Sequence, residues 1–310
     1  MTDKETKQHT PAWVGLLRFA IFLMVLVFVV ALGSLSWWYA IDFVMPSQST
    51  SASAPADFGL TAQEIELTTS DDVTLIAWYV PPPDGSDDAL VYLHGLGSNR
   101  GHMLEHAAAL HEVGYGALLL DARGHGESEA VYRTMGVQEV EDVQAAVTFL
   151  QSQPQVAQIG VMGISFGAST GLIASAQIDA VETVVAFSPY SSLVDVVGDR
   201  AWRMFRLAPR PTADLVLWWM TAYTGENIYR ASPEAAVAAI DSRPVLHVHG
   251  TRDGIIPYAA SERIMGVAGD NVTHWTLEGV GHGTESYALQ TRWDDVIAFL
   301  DATMKPATSS

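Results

Sequence analysis

The sequence predicts an α/β protein: a mainly parallel sheet of eight strands with helices on both faces, a helical cap insertion and an N-terminal transmembrane helix. Three observations carry that expectation. Strand-like and helix-like segments alternate from Glu64 onward. Residues 19–41 form a run of 23 residues without a charge, and residues 190–240 break the alternation with an aromatic-rich stretch.

The uncharged run comes first. At 1.5 Å per residue it is long enough to cross a hydrocarbon core of about 30 Å. Trp13 stands at one end and Trp37, Trp38 and Tyr39 at the other, the positions of aromatic belts at the two interfaces. Lys4, Lys7 and Arg18 precede the run, and no basic residue follows it until Arg100. That bias puts the N-terminus in the cytoplasm and the bulk of the chain outside it, so the lipid bilayer is an expected partner. A cleaved signal peptide is the competing reading, with Ala31-Leu32-Gly33 as its cleavage site. Apolar and aromatic residues continue beyond Gly33, which favours a retained anchor. The expected organisation is a tail at 1–12, an anchor at 13–41, a linker at 42–57, a globular domain at 58–303 and a tail at 304–310. Within the linker, the Pro/Ser/Ala-rich residues 46–56 read as a flexible tether.

Composition excludes several functions. None of the 310 residues is cysteine, so disulfides, thiolate metal sites and a cysteine nucleophile are ruled out. The net charge is −19, and after Arg18 only 13 basic residues stand against 33 acidic ones. Such a field repels nucleic acid, which is not an expected partner.

The globular part is read in order. Strands are expected at residues 64–68, 74–80, 89–93, 117–121, 159–162, 183–187, 245–249 and 273–277. The first two flank the turn-like Ser70-Asp71-Asp72 and should form an antiparallel hairpin. Helices fit residues 101–112, 138–151, 166–176, 258–267 and 286–302. In the second of these, Val140, Val143, Val147 and Leu150 recur at helical spacing and mark a buried face. The insertion at about 190–240 reads as a small helical cap. Ser232-Pro233-Glu234 is a helix start, with an N-cap serine and proline at the first helical position. Its aromatic residues Trp202, Phe205, Trp218 and Trp219 are candidate substrate-binding residues.

Five motifs carry the chemistry. His94-Gly95-Leu96-Gly97 follows the third strand, and Asp121-Ala122-Arg123-Gly124-His125-Gly126-Glu127-Ser128 the fourth. Gly163-Ile164-Ser165-Phe166-Gly167 follows the fifth, where a strand-to-helix turn too tight for a Cβ on either side lets the serine hydroxyl project. His249-Gly250-Thr251-Arg252-Asp253 and then Gly279-Val280-Gly281-His282-Gly283 complete the set. With these motifs, in this order, residues from about 58 to 300 resemble the α/β-hydrolase family. The branch that looks most similar contains monoacylglycerol-lipase-like and peptidase-like (prolyl-oligopeptidase-like) hydrolases. The resemblance implies a serine hydrolase with Ser165 as nucleophile, His282 as base and then acid, and Asp253 holding the imidazole in its tautomer. The backbone N–H groups of Phe166 and Leu96 would form the oxyanion hole. No metal or organic cofactor is expected, and the substrate would be small and acyl-bearing. An ester or thioester is the expected bond. Acyl transfer, peptide or amide cleavage, and a non-catalytic binding protein on the same fold are the alternatives.

Each assignment has a rival. Asp270 and Glu278 compete with Asp253, which alone sits just past a strand end in a glycine-rich loop. His274 competes with His282 but falls within a strand. His247 and His249 share a strand face and could ligate a metal, although a third ligand is not evident. His102-Met103-Leu104-Glu105-His106 matches the inverted zinc-protease pattern, yet it follows the His94 motif where an ordinary covering helix is expected; a His102 substitution should then leave activity intact. Arg123 and His125 are read as fixing their loop. Arg200, Arg203 and Arg206 are spaced along one side of a helix, with Arg210 beyond; they either pair with Asp195 and Asp199 or recognise an anionic substrate group.

Overall fold

The structure is a computed structural model that describes residues 11–240 and 242–304. Lys4, Lys7 and nearly all of the expected terminal tails lie outside the described residues. The chain opens with α1 (Ala12–Val44), then β1 (Ser47–Gln48), β2 (Gln63–Thr68), β3 (Thr74–Val80) and β4 (Asp88–Leu93). There follow α2 (Leu104–His111), β5 (Gly116–Leu120), β6 (His125–Gly126), α3 (Glu139–Gln151), β7 (Gln158–Ile164), α4 (Phe166–Ser175) and β8 (Thr183–Phe187). The cap contributes α5 (Leu193–Phe205), α6 (Pro209–Thr224) and α7 (Pro233–Ala239). The chain closes with β9 (Val245–Gly250), α8 (Ala259–Val267), β10 (Val272–Leu277), α9 (Thr284–Thr291) and α10 (Trp293–Met304).

Eight strands form one sheet in the order β10-β9-β8-β7-β4-β5-β3-β2. The β2–β3 hairpin and the β3–β5 pair are antiparallel, and every other pair is parallel. Parallel strands buried on both faces feed two cores by period-2 alternation. Ala89, Val91 and Leu93 of β4 join the core under α3 and α4, whereas Leu90 and Tyr92 join the one under α2 and α10. From β4 the chain moves one way to β5 and later returns to β7 on the other side. This switch point opens a crevice beyond the carboxyl ends of β4 and β7, where open α/β sheets bind ligands.

Helix α1 has two regions. Residues 15–31 are all exposed and almost wholly apolar, about 26 Å of helix with no protein around it. From Leu32 on, one stripe (Leu35, Ser36, Tyr39, Ala40, Phe43 and Val44) turns onto the domain, and Ala40 and Val44 are fully buried. That i, i+3, i+4, i+7 spacing is how a helix docks on a core. The helix is long and apolar enough to cross a membrane.

Two sequence expectations need correction. The segment expected to be a flexible tether is pinned: β1 pairs with β6, Ser47 N–H donates to Gly124 O at 2.7 Å, and Ser49 N–H donates to Gly126 O at 3.1 Å. Ser51 lies so close to Gly101 that a Cβ there would meet its Oγ at 1.9 Å. A Pro/Ser/Ala composition says nothing of the carbonyls its N–H groups will find. The helix expected over 286–302 is two helices. The first is capped at Arg292 (φ −141°), whose guanidinium bonds Asp295 in the first turn of the second at 2.8 Å and lies over the Trp275 ring.

Burial also sets an acid limit to stability. His106 is 3% exposed, with its ring against Trp293. Burial, with the nearby His102, holds its pKa down to about 4. The unfolded imidazole titrates near 6.5, so below that pH the unfolded chain takes up a proton that the native state refuses. The stabilisation is therefore full above pH 6.5 and is lost as pH falls toward 4, by up to roughly 3 kcal/mol. Thermal unfolding of the full chain in detergent should show melting temperature falling between pH 7 and 5. His106→Phe should flatten that slope; an unchanged slope would refute the assignment.

Candidate active site

Ser165 is the single residue between the end of β7 and the start of α4, and its backbone sits at φ 55°, ψ −114°. A side chain other than glycine rarely adopts that conformation, and here it thrusts the hydroxyl out of the sheet edge. The flanking glycines are required by close approach. A Cβ on Gly163 would lie 2.5 Å from the Gly167 backbone, and one on Gly167 would lie 2.3 Å from the Leu93 carbonyl oxygen. The turn is thus wedged against the end of β4, and Ser165 N–H is tied to Phe187 O at 2.8 Å.

Asp253 lies in the loop after β9, buried. Its Oδ1 accepts the backbone N–H groups of Ile255 and Ile256 at 2.9 and 2.8 Å, and its Oδ2 faces His282 Nδ1 at 2.7 Å. Burial pushes the carboxyl pKa up. The hydrogen bond and charge of His282 and the two backbone donors outweigh it, so the net shift is downward. His282 reaches across the sheet end to place Nε2 3.0 Å from Ser165 Oγ. Gly250 makes this convergence possible, because a Cβ there would meet the Val280 carbonyl oxygen at 2.4 Å. The structure therefore brings together the three side chains that the motifs singled out, 117 residues apart between serine and histidine.

Around Ser165 opens a cavity of about 440 Å³. Leu96 and Phe166 both line it. Phe166 is the first residue of α4, so its N–H has no carbonyl four residues back within the helix. The loop bearing Leu96 is held from behind. Arg100 is buried and paired with Asp121, with Glu64 at 2.8 Å and with Glu127 at 2.5 Å, and it lies over Trp78. His94 accepts the Ala122 N–H at 3.2 Å. Arg123 bonds Asp142 and Asp71, and His125 packs between His94 and Phe166. The segment after β5 thus braces the loop bearing Leu96.

Other expected residues lie elsewhere. None of the cap aromatics Trp202, Phe205, Trp218 and Trp219 lines the Ser165 cavity. The buried faces of α5 and α6 are Leu193, Val197 and Ala201, and Ala213, Val216, Leu217 and Met220. Trp202 and Trp218 consequently point outward, and Trp219 packs at the edge of the core. Phe205 ends the α5 stripe beyond the domain, in a groove beside α1. The arginines do not pair as expected either. Arg263 takes Asp195 and Asp199, while Arg203 donates to Gly254 O and Ile255 O and Arg210 pairs with Asp214. Arg200 lies over the Tyr39 ring.

The remaining rivals are placed as well. Glu278 bonds Thr251, and His274 stacks on His247, whose Nε2 faces Ser261 Oγ. His249 Nε2–H donates to Ile256 O at 3.0 Å. No cluster of three groups able to hold a metal occurs among the described residues. His102 sits in a 3₁₀ turn before α2 and lines the Ser165 cavity. Among the wall residues that sequence reasoning missed are Tyr39 and Phe43 from α1, and Tyr190 and Glu285. The spacing of Tyr39, Phe43 and the buried Ala40 was the available signal.

Comparison with known proteins follows this geometry. The serine aminopeptidase S33 family (Hydrolase_4) matches residues 84–226. The chain is also similar to an esterase of Pyrococcus furiosus, at 27% identity and a TM-score of 0.69, over 84% of this chain and 98% of that one.

The chain has the α/β-hydrolase fold.

The chain is similar to an uncharacterised Mycobacterium tuberculosis protein, 29% identical over 76% of each chain. Another is an α/β-hydrolase domain-containing protein of Arabidopsis thaliana, 26% identical over 69% of each. These likenesses support hydrolysis as the reaction class.

Proposed function

We propose that this α/β-hydrolase is a membrane-anchored serine hydrolase that cleaves a carboxylic ester or thioester through an acyl-enzyme on Ser165. The single observation that carries the reading is the hydrogen-bonded line from Ser165 Oγ to His282 Nε2 (3.0 Å) and from His282 Nδ1 to Asp253 Oδ2 (2.7 Å), opening into the cavity. Its resemblance to an esterase adds weight.

Ser165 Oγ attacks the substrate carbonyl carbon as its proton passes to His282 Nε2. The carbonyl electron pair moves to oxygen, where the N–H groups of Phe166 and Leu96 receive it; losing one such donor typically costs about 3 kcal/mol of barrier. Collapse expels the alcohol or thiol, which takes its proton from His282, and water then repeats the sequence on the acyl-enzyme. Asp253 keeps Nδ1 protonated, leaving Nε2 free to accept, and stabilises the imidazolium.

The apolar helix 15–31 would be the bilayer anchor, with the N-terminus cytoplasmic and the hydrolase domain outside. A fluorophosphonate probe should label the full chain at Ser165, and p-nitrophenyl esters should turn over. In a membrane-impermeant form the probe should label right-side-out vesicles, and labelling only after permeabilisation would reverse the orientation. No label and no turnover would leave the binding-protein alternative. Amide cleavage is a second reading, favoured by the aminopeptidase family match and by Glu285, a buried carboxyl in the cavity wall that could meet an α-ammonium group. Aminoacyl p-nitroanilides turned over faster than esters would decide for it.

A further inference from the structure

The hydrolase cavity does not end at the cap. Tyr39 and Arg200, with the guanidinium carbon 5.0 Å from the ring centroid, line the Ser165 cavity on one side and an apolar groove on the other. The groove runs between α1 and the cap, walled by Leu32, Leu35 and Trp38 and by Met204, Phe205 and Val216. Its α1 wall continues directly from the exposed apolar residues 15–31. Met204 and Phe205 are 58% and 48% exposed, a poor arrangement in water but an apt one against acyl chains. Arg200 lines the groove with its guanidinium over Tyr39, and Arg206 lies over Trp202; long basic side chains near an apolar surface can reach out to a lipid–water interface.

We infer that the substrate is a membrane-resident ester with a long acyl chain, which enters sideways from the bilayer. Its chain lies in the groove between α1 and the cap, and its carbonyl passes the Tyr39–Arg200 pair to reach Ser165. The anchor is thus a wall of the substrate path as well as a tether. The occupant follows from continuity. A groove that starts at the membrane helix and shares two residues with the nucleophile's cavity joins an apolar reservoir to a site that attacks carbonyls. This inference rests on the serine hydrolase reading and on α1 being a retained anchor.

The test compares full-length wild type, Leu35→Trp and Met204→Trp, which fill the groove from opposite walls. Each is reconstituted in phosphatidylcholine vesicles and assayed with p-nitrophenyl palmitate in the bilayer and p-nitrophenyl acetate in water. Fluorophosphonate labelling at the wild-type rate certifies a folded site, and two variants guard against one failing to fold. The palmitate-to-acetate ratio of kcat/KM should fall at least about 10-fold in both, since losing the burial of two methylenes alone is worth roughly that much. A ratio within about twofold of wild type overturns the groove while leaving the catalytic reading standing. Wild type that hydrolyses neither ester removes the catalytic reading, and this inference with it.

Discussion

Ser165→Ala should lower ester hydrolysis at least about 10⁴-fold and abolish fluorophosphonate labelling, with the fold intact. The hydroxyl is the only atom lost, and it sits 3.0 Å from His282 Nε2 at the end of a backbone held at φ 55°. Alanine meets the same conformational cost at that φ as serine, so the elbow persists while its nucleophile is gone. Residual turnover would come from the oxyanion donors and the cavity polarising a carbonyl toward water. Serine and histidine act as one unit, so His282→Ala in the same background should cost little more. A Ser165→Ala variant that keeps a tenth of wild-type activity would show that another group attacks the substrate.

Asp253→Asn should have an effect nearly as large, about 10⁴-fold in kcat, with modest change in melting temperature. Both carboxylate oxygens are committed, Oδ1 to the N–H groups of Ile255 and Ile256 and Oδ2 to His282 Nδ1. An asparagine must keep its carbonyl toward the two backbone donors, because its amide would meet them donor to donor. Its NH₂ then faces His282 and selects the tautomer with Nδ1 bare and Nε2 protonated, which cannot take the proton from Ser165. The wild-type carboxyl pKa lies below its ordinary value, so the bond to His282 persists throughout the neutral range and weakens only in acid. Activity within tenfold of wild type would remove Asp253 from the role and reopen the search among nearby carboxyls.

Much of this organisation was legible because its signals are local. Strand and helix periods, and the glycines that a tight turn demands, are written within a few residues. Gly163 and Gly167 mark the Ser165 turn in the sequence, and the structure supplies the reason in the carbonyls of β4. The cap was legible as helical but not in its orientation. Trp202 and Trp218 carry the chemistry of a substrate wall, yet they sit off the buried stripes of α5 and α6. The Pro/Ser/Ala linker misled for a related reason: composition reports local stiffness, whereas β1 is fixed by backbone bonds to residues 124–126.

The amino-acid sequence by itself determined the α/β architecture, the membrane-length apolar helix, the acidic character of the domain and the identity of Ser165, Asp253 and His282 as the residues to watch. Tertiary structure alone decided that Tyr39, read as part of an anchor, and Phe43, read as part of a linker, form a wall beside the nucleophile, and that the cap aromatics do not. The physical reason is range. Secondary structure and turn chemistry are set by neighbours along the chain, but which face of a helix meets which cavity depends on packing between segments more than a hundred residues apart.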